Sequence, residues 1–255
     1  MILAHHSVAT GPRSEDPLFL RVLPDRFKEQ MEVMLAAGYS FVTVAEFARR
    51  IGPDGPPAGL AALSLDDGVR DNHGVVLPIL REYGVPATVY VTTGLIGKTY
   101  PWMDGDVPMM VEGEIRELAD AGIEIGAHTI THPNMAELDH AQCLTEMTES
   151  RRELERITGR TVETFAYPAC HYGRAAVAAA EEAGFLAAVT CGGAGSWDRF
   201  TIKRSLITGK DGLPSFALKV AGVYQGLFDG PAGRVTRQVT RPLRTRARAL
   251  MDRRA

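Results

Sequence analysis

The chain has 255 residues, of which 45% are hydrophobic and 23% charged, and its formal net charge is −3. This composition indicates a folded protein with a sizeable core, and the charge gives no general attraction to nucleic acid. No apolar run is long enough to cross a bilayer. Three cysteines are too few and too scattered for a disulfide framework, so we expect reduced thiols at Cys143, Cys170 and Cys191. The first residues lack the features of a signal peptide, which predicts a cytoplasmic location.

Apolar, β-prone runs alternate along the chain with amphipathic segments, most of which end at a glycine. Strands are predicted at residues 1–4, 39–44, 60–65, 85–91, 123–127, 162–167, 186–190 and 202–207. Helices are predicted at residues 24–37, 45–51, 72–83, 112–121, 139–158, 173–183 and 214–223. This alternation is typical of repeated βα units around a parallel sheet or barrel.

Residues 1–225 are predicted to form one domain, followed by an Arg-rich tail at residues 226–255. We expect a solvated helix or a frayed end there. Contact of this basic tail with an anionic membrane surface is an alternative. The oligomeric state is not predicted.

Three of the predicted strands end in polar or otherwise unusual residues. Asp66 and Asp67 end one, His128 and His132 follow another, and Tyr167 and Pro168 end a third. Because the carboxyl ends of parallel strands share one rim, we expect these residues to converge.

The spacing of His128 and His132 lets two imidazoles reach one metal ion if the residues between them coil. Two imidazoles and one carboxylate suit Zn²⁺, with Fe²⁺, Co²⁺ or Ni²⁺ as alternatives, and leave a coordination position open for water. One of the adjacent carboxylates can bind the metal while the other accepts a proton from water.

Residues 64–68, 128–132 and 165–168 resemble the first three motifs of the NodB-homology polysaccharide deacetylases, carbohydrate esterase family 4. The resemblance covers nearly all of the chain from Leu3 to about Val220. It implies a distorted (β/α)7 TIM-like barrel and a metal-dependent hydrolase that removes N-acetyl groups from sugars. It further implies that Asp66 is the catalytic base and that the metal ligands are Asp67, His128 and His132. A backbone N–H of the third motif would hold the oxyanion.

The sequence departs from the family in three places. The third motif has Ala166 where many members have an arginine, and Cys170 stands near the site where a glycine is usual. The late histidine that commonly protonates the leaving amine is also missing, because the last histidine is His171. The candidates for this acid are His5, His6, His171 and Asp66 itself, and the family's N-terminal pattern favours His6.

Further residues are assigned to the wall of the site. We expect Tyr167, Pro168, His171 and Trp197 to contact the substrate, and Trp102 to serve as a lid or wall. Asp198 is a candidate for orienting a histidine, and Arg204 for supporting the base.

The predicted substrate is an acetylated sugar or oligosaccharide, and a cytoplasmic enzyme would act on a soluble or lipid-linked precursor. Two alternatives stay open. One is a related barrel that hydrolyses a formamide or a cyclic ureide, and the other is an inactive glycan-binding relative, for which Asp66 would have no use.

Overall fold

The computed structural model describes residues 1–192 and 197–220. The predicted tail at residues 226–255 lies outside the described residues. In chain order the strands are β1 (Ile2–His5), β2 (Ser7–Val8), β3 (Arg21–Val22), β4 (Ser40–Val42), β5 (Leu60–Leu65), β6 (Thr88–Val91), β7 (Glu124–Ala127), β8 (Thr164–Ala166), β9 (Ala187–Cys191) and β10 (Ile202–Leu206). The helices are α1 (Pro24–Ala36), α2 (Val44–Arg49), α3 (Leu77–Tyr83), α4 (Glu112–Asp120), α5 (His140–Thr158), α6 (Arg174–Glu182) and α7 (Leu213–Val220).

Seven parallel strands close into a barrel in the order β1, β10, β9, β8, β7, β6, β5, with β5 pairing again with β1. This arrangement confirms the predicted distorted (β/α)7 barrel. The strand predicted at residues 39–44 is present as β4, but it pairs with the edge of β5 outside the ring. A short parallel pair, β2 with β3, was not predicted and lies just beyond the end of β1.

Strand alternation divides the apolar residues into two cores. Side chains such as Ala62, Tyr90 and Ala166 fill the barrel interior. Their neighbours along the strands, such as Leu63 and Phe165, face outward and pack with the helices. Every residue of β5 is buried. Because Ala62 faces the barrel interior, alternation places Ser64 and then Asp66, two and four positions later, on the same inward side.

Helix α2 closes the amino-terminal end of the barrel. Its side chains, including the fully buried Phe47, belong to the interior core. The first N–H groups of the helix donate to the Thr88 hydroxyl and the Glu124 carboxylate, which begin β6 and β7. The opposite, carboxyl-terminal end is therefore the end that stays open for a site.

Capping signals set the bounds of the longest helix. Asp139 accepts a hydrogen bond from the Gln142 N–H, and the Gln142 side chain accepts one from the Asp139 N–H, so both ends of a capping box are present. The helix ends at Gly159, whose φ of 65° is the left-handed conformation that glycine adopts without strain. No helix among the described residues is long and apolar enough to cross a membrane.

Candidate active site

The two aspartates after β5 point in different directions because the backbone turns left-handed between them. Asp66 continues the strand, and its N–H donates to the His5 carbonyl at 2.9 Å. Asp67 has a φ of 74° and Gly68 a φ of 86°. Aspartate tolerates this region better than most residues. A Cβ at Gly68 would also lie 3.1 Å from Val91, so the tight turn requires glycine.

Asp67, His128 and His132 form one cluster. Asp67 Oδ1 lies 3.2 Å from His128 Nε2 and 3.4 Å from His132 Nε2. His128 Nδ1 lies 2.7 Å from the Ala166 carbonyl, which only accepts, so Nδ1 carries the proton and neutral His128 directs the Nε2 lone pair at Asp67. Two acceptors then face each other in a buried site, where Asp67 Oδ1 has no hydrogen-bond donor among the described residues. A cation satisfies this arrangement, so the residues present fit a divalent metal.

The loop between the two histidines coils as the spacing required. Thr129 and His132 both have positive φ, of 68° and 59°. The Thr129 hydroxyl accepts from the His132 N–H at 2.9 Å. Glu146 of α5 accepts from the N–H groups of Ile130 and Thr131 and thereby fixes the loop to the helix layer.

An aromatic wall covers the cluster from the irregular segment at residues 94–111. The Tyr100 hydroxyl donates to Asp67 Oδ2, and the Trp102 ring centroid lies 4.1 Å from that of His132. The wall predicted at Trp102 is thus in place. Tyr100 was missed, because nothing in an irregular, aperiodic segment indicates which hydroxyl turns inward.

Asp66 is paired with a buried arginine from the other side of the barrel. Arg204 of β10 donates through Nη1 and Nη2 to the two carboxylate oxygens at 2.6 and 2.8 Å, and Nη1 also donates to the Ser64 hydroxyl. Ala166, the third-motif position where many members have arginine, leaves the interior free for this guanidinium. The support for the base predicted at Arg204 has the geometry of a bidentate pair.

The electrostatics keep both aspartates ionised. Burial raises the pKa of Asp66, but the Arg204 guanidinium outweighs it, so the pKa lies below its usual value. Burial also raises the pKa of Asp67, but the adjacent imidazoles of His128 and His132 hold it well below the usual range. A weaker charge that lowers both pKa values is His6.

The side chains of His5 and His6, at the end of β1, point to opposite sides of the strand. His5 is fully buried against α1, with its Nε2 2.9 Å from Gln30 Oε1 and its ring edge-on to Phe27. Burial lowers its pKa to about 4. His6 is half-buried near both aspartates, and its Nδ1 is buried without a partner among the described residues. Of these two candidates for the general acid, only His6 faces the site.

The third motif contributes backbone rather than an aromatic side chain. Tyr167 is fully buried in the outer core, and its hydroxyl donates to the Phe200 carbonyl at 3.0 Å. The burial of this side chain does not support a side-chain contact with substrate, and the predicted role of Tyr167 in substrate binding stays a prediction. Pro168 is buried at the rim and His171 is half-buried in the loop that follows, and their substrate contacts stay predictions.

Cys170 and Cys191 are joined by a disulfide, with their Cα atoms 5.3 Å apart. The expectation of three reduced thiols is wrong for this pair, and only Cys143 is free among the described cysteines. The reason is topological: β8 and β9 are neighbours, so Cys170 in the loop after β8 lies beside Cys191 at the end of β9, although the two are 21 positions apart in sequence. Because disulfides are typical of oxidising compartments, the cytoplasmic location stays a prediction.

Trp197 does not line the site. It packs on Phe47, with ring centroids 6.4 Å apart, and lies against Gly55. Phe47 belongs to the helix that closes the amino-terminal end, so Trp197 lies at the end of the barrel opposite the metal-ligand cluster. This position, shortly before β10 begins, does not support the predicted substrate contact of Trp197.

A family model described as polysaccharide deacetylase matches residues 54–188, more than half of the chain. The chain belongs to this family. The protein YxkH of Bacillus subtilis strain 168, which is named as a polysaccharide deacetylase, is a relative of this chain. The two are 30% identical over 190 residues. The match covers 74% of this chain and 63% of YxkH, so the chain spans less than two thirds of that relative. A gellan lyase of Bacillus sp is 32% identical over 111 residues, which cover 43% of this chain and 4% of the lyase.

Solved structures of deacetylases share the fold. The Streptococcus pyogenes deacetylase PplD, in complex with acetate, has a TM-score of 0.74 at 26% identity, covering 86% of this chain and 96% of PplD. IcaB from Ammonifex degensii has a TM-score of 0.73 at 20% identity, covering 88% of this chain and 96% of IcaB. At that identity the likeness to IcaB concerns the fold alone.

Proposed function

We propose that the protein is a metal-dependent hydrolase that removes the N-acetyl group from a sugar or glycan precursor and releases acetate and a free amine. The observation that carries the proposal is the buried Asp67, His128 and His132 cluster beside the Asp66–Arg204 pair. Family membership supports deacetylation, and acetate in the PplD structure is the product such a reaction releases.

The cluster supplies the electrophilic half of the site. A divalent cation, most simply Zn²⁺ for this donor set, would polarise the acetyl carbonyl and make an adjacent water more acidic. The residues of the chain hold the donors in place: the Ala166 carbonyl fixes the tautomer of His128, and the Tyr100 hydroxyl orients Asp67. The His132 ring is held by Trp102.

Asp66 supplies the base. Its carboxylate is kept ionised by Arg204, and each oxygen retains a lone pair after the bidentate contact. It therefore accepts a proton from the water that attacks the acetyl carbon. The bidentate contact also fixes the plane of the carboxylate, so the accepting oxygen is positioned before substrate binds.

The third-motif loop supplies the oxyanion donor. The N–H groups of Tyr167, Cys170 and His171 donate to carbonyls within the protein, and Pro168 has none. In the described part of this loop that leaves the N–H of Ala169 to bind the developing oxyanion. Ala169 and Cys170 have positive φ, 46° and 62°, a conformation unfavourable for residues with a Cβ, and it sets the direction of this N–H.

His6 is assigned as the general acid. Its side chain faces Asp66 and Asp67 from the end of β1, and its carbonyl is held by the Asn72 side chain at 2.9 Å. When the C–N bond of the amide breaks, His6 gives a proton to the departing nitrogen. Asp66 then returns the proton it took from water to His6, and acetic acid, which ionises to acetate in solution, leaves with the uncharged amine.

The test is acetate release from a panel of N-acetylated monosaccharides, oligosaccharides and nucleotide sugars. We expect release from at least one of them, loss of release after chelator treatment, and recovery on adding Zn²⁺, Co²⁺, Fe²⁺ or Ni²⁺. Release that withstands removal of all metal would contradict the proposal. Formate from formamides or ring opening of cyclic ureides, with no acetate from any sugar, would identify the alternative hydrolase.

A further inference from the structure

A cavity opens on the same end of the barrel as the candidate active site. It has a volume of about 440 Å³ and lies between the segment at residues 11–26 and the connection at residues 208–212. These segments follow β1 and β10, two neighbouring strands of the ring. Arg21 pairs in register with Ser7, the residue after His6, so the cavity begins close to the proposed general acid.

Cationic side chains dominate the lining. Arg13, Arg21, Arg26 and Lys210 line the cavity, against the two carboxylates Asp16 and Asp211. Asp16 already accepts from the N–H groups of residues 20 and 21, at 2.8 and 2.9 Å. Asp211 accepts from Thr208 and from Lys219. Asp211 is thus paired with Lys219, and Arg26 is paired with Glu29 at 2.8 Å, which leaves Arg13, Arg21 and Lys210 as the cavity cations for a ligand.

Arg13 and Lys210 are brought together in an unfavourable arrangement. Each lies 3.4 Å from the centroid of the same Phe19 ring. Within the described ranges neither cation has a carboxylate at ion-pairing distance. The two positive charges repel each other across the ring, and an anion bound in the cavity beside the ring attracts both of them.

Arg21 provides an independent indication of a ligand. Its side chain is only 8% exposed, and its Nε and Nη1 are buried without a hydrogen-bond partner among the described residues. Glu15 Oε2 lies 3.7 Å from Nη1, too far for a hydrogen bond. A Cβ at Gly11 would lie 2.0 Å from Nη1, so the glycine leaves the space that the guanidinium occupies. An unsatisfied guanidinium is costly unless something binds it.

Two helices also direct their amino termini at this cavity. Leu23 precedes α1, Arg26 lies in its first turn, and Gly212 precedes α7; all three line the cavity. The N-cap Leu23 makes no side-chain capping bond, so the first N–H groups of α1 are left for another acceptor. Helix amino termini favour phosphate, and barrels commonly bind it where loops after the strands meet such a terminus.

We propose that this cavity binds a phosphoryl group, and that the sugar whose acetyl group is removed carries it. The volume exceeds what phosphate alone needs and accommodates part of a sugar as well. The phosphoryl oxygens receive hydrogen bonds from Arg21 and α1 and neutralise Arg13 and Lys210. The substrate assignment rests on the proposed deacetylase function, whereas the phosphoryl site stands without it.

The first measurement is binding of inorganic phosphate to the full chain by calorimetry. The double substitution Arg13→Gln with Lys210→Gln removes two exposed cations and leaves the buried core intact. We expect it to weaken phosphate binding about tenfold or more, the scale of one charge-assisted hydrogen bond. Arg21→Met should abolish binding, and circular dichroism checks that it folds. The matched control is Lys28→Gln on α1, whose ammonium pairs with Glu82 away from the cavity, and it should bind like the parent chain.

The second measurement compares acetate release from an N-acetylhexosamine and from its phosphate ester. We expect the double substitution to raise KM for the ester about tenfold, to leave kcat within about twofold, and to leave the uncharged sugar unaffected.

The outcomes separate the two proposals. No phosphate binding by the parent chain, or equal loss in the Lys28→Gln control, overturns the phosphoryl site while deacetylation of uncharged sugars stands. Phosphate binding that requires Arg13 and Lys210, without acetate release from any sugar, keeps the site and overturns the proposed function.

Discussion

The two ends of the barrel use the same strands for opposite purposes. At the amino-terminal end Glu124 is half-buried, and both of its carboxylate oxygens accept hydrogen bonds, from Thr164, Thr88 and the Ala45 N–H. At the carboxyl-terminal end Asp67 is buried more deeply, yet its Oδ1 has no donor among the described residues. A carboxylate is thus satisfied within the protein at one end and left for a ligand at the other.

The difference teaches where stability and function lie in this fold. At the amino-terminal end, α2 and Trp197 add apolar packing above the Glu124 network, so that end is closed. At the carboxyl-terminal end, charged residues from three strands face each other with positive φ at Asp67, Thr129 and His132. Unsatisfied atoms and unfavourable backbone conformations occur together there, as is usual where binding supplies the compensation. The comparison predicts that substitutions at the carboxyl-terminal end mainly lower activity, whereas substitutions at the amino-terminal end mainly lower stability.

The largest effect on activity is expected from His128→Ala. Removing one of three donors should lower the bound metal from about one equivalent to a small fraction, and acetate release to background. The measurements are elemental analysis of the purified protein and the acetate assay. His140→Ala is the matched control, because His140 lies on the helix layer in an exposed pair with Glu182. Full metal occupancy in His128→Ala would refute the ligand assignment.

Asp66→Asn should show that the role of the base is distinct from metal binding. We expect metal to stay bound while turnover falls about 10²- to 10⁴-fold, the usual contribution of a general base. The change leaves Arg204 buried without its carboxylate partner, which should also destabilise the fold by about 3–5 kcal/mol. Adding Arg204→Met should restore part of that stability without restoring turnover. Retained activity in Asp66→Asn would mean that another group takes the proton.

Sequence alone was enough to predict that the residues at the strand ends converge at one site. Asp66, Asp67 and the two histidines follow clear β-prone runs, and the shared rim of a parallel barrel brings them together. Arg204 is 138 positions from Asp66 and could be proposed as support but not placed, because closure of the ring between β10 and β1 decides the pairing. The chain pattern also misplaced Trp197, since the return from β9 to β10 carries no helical periodicity to show its direction.

Loops were the least predictable part. The Tyr100 contact and the disulfide both depend on which irregular segments lie side by side, and local propensity says nothing of this. The cavity lined by Arg13 and Lys210 was missed for the same reason: two segments nearly two hundred residues apart form it, and neither is basic by itself. Only the burial pattern of His5 and His6 follows from strand alternation, once β1 is known to be covered by α1.

His6→Ala should lower turnover less than Asp66→Asn, by about 10²-fold, with metal content and unfolding temperature unchanged. A His6→Ala enzyme with parental turnover would move the acid role to His171 or Asp66.

The neighbouring His5 should affect stability instead. Burial holds the pKa of His5 at about 4, below the ordinary value of 6.5, so the folded protein favours the neutral imidazole. The stability of the fold therefore decreases as pH falls from about 6.5 toward 4, by up to about 3 kcal/mol. We expect His5→Gln to make the free energy of unfolding less dependent on pH in this range.

The smallest effect on activity is expected at the closed end. Phe47→Ala removes a fully buried ring from the interior core and its contact with Trp197, which should lower the free energy of unfolding by about 3–5 kcal/mol. Because the aspartates and histidines lie at the other end, kcat and metal content should stay within about twofold of the parent at a temperature where both are folded. Thermal unfolding and the acetate assay on the same preparation measure the two effects together. A large fall in kcat with stability retained would show that the two ends are coupled through the barrel interior, since Tyr90 belongs to the same core as Phe47 and its ring lies 5.4 Å from the Arg204 guanidinium.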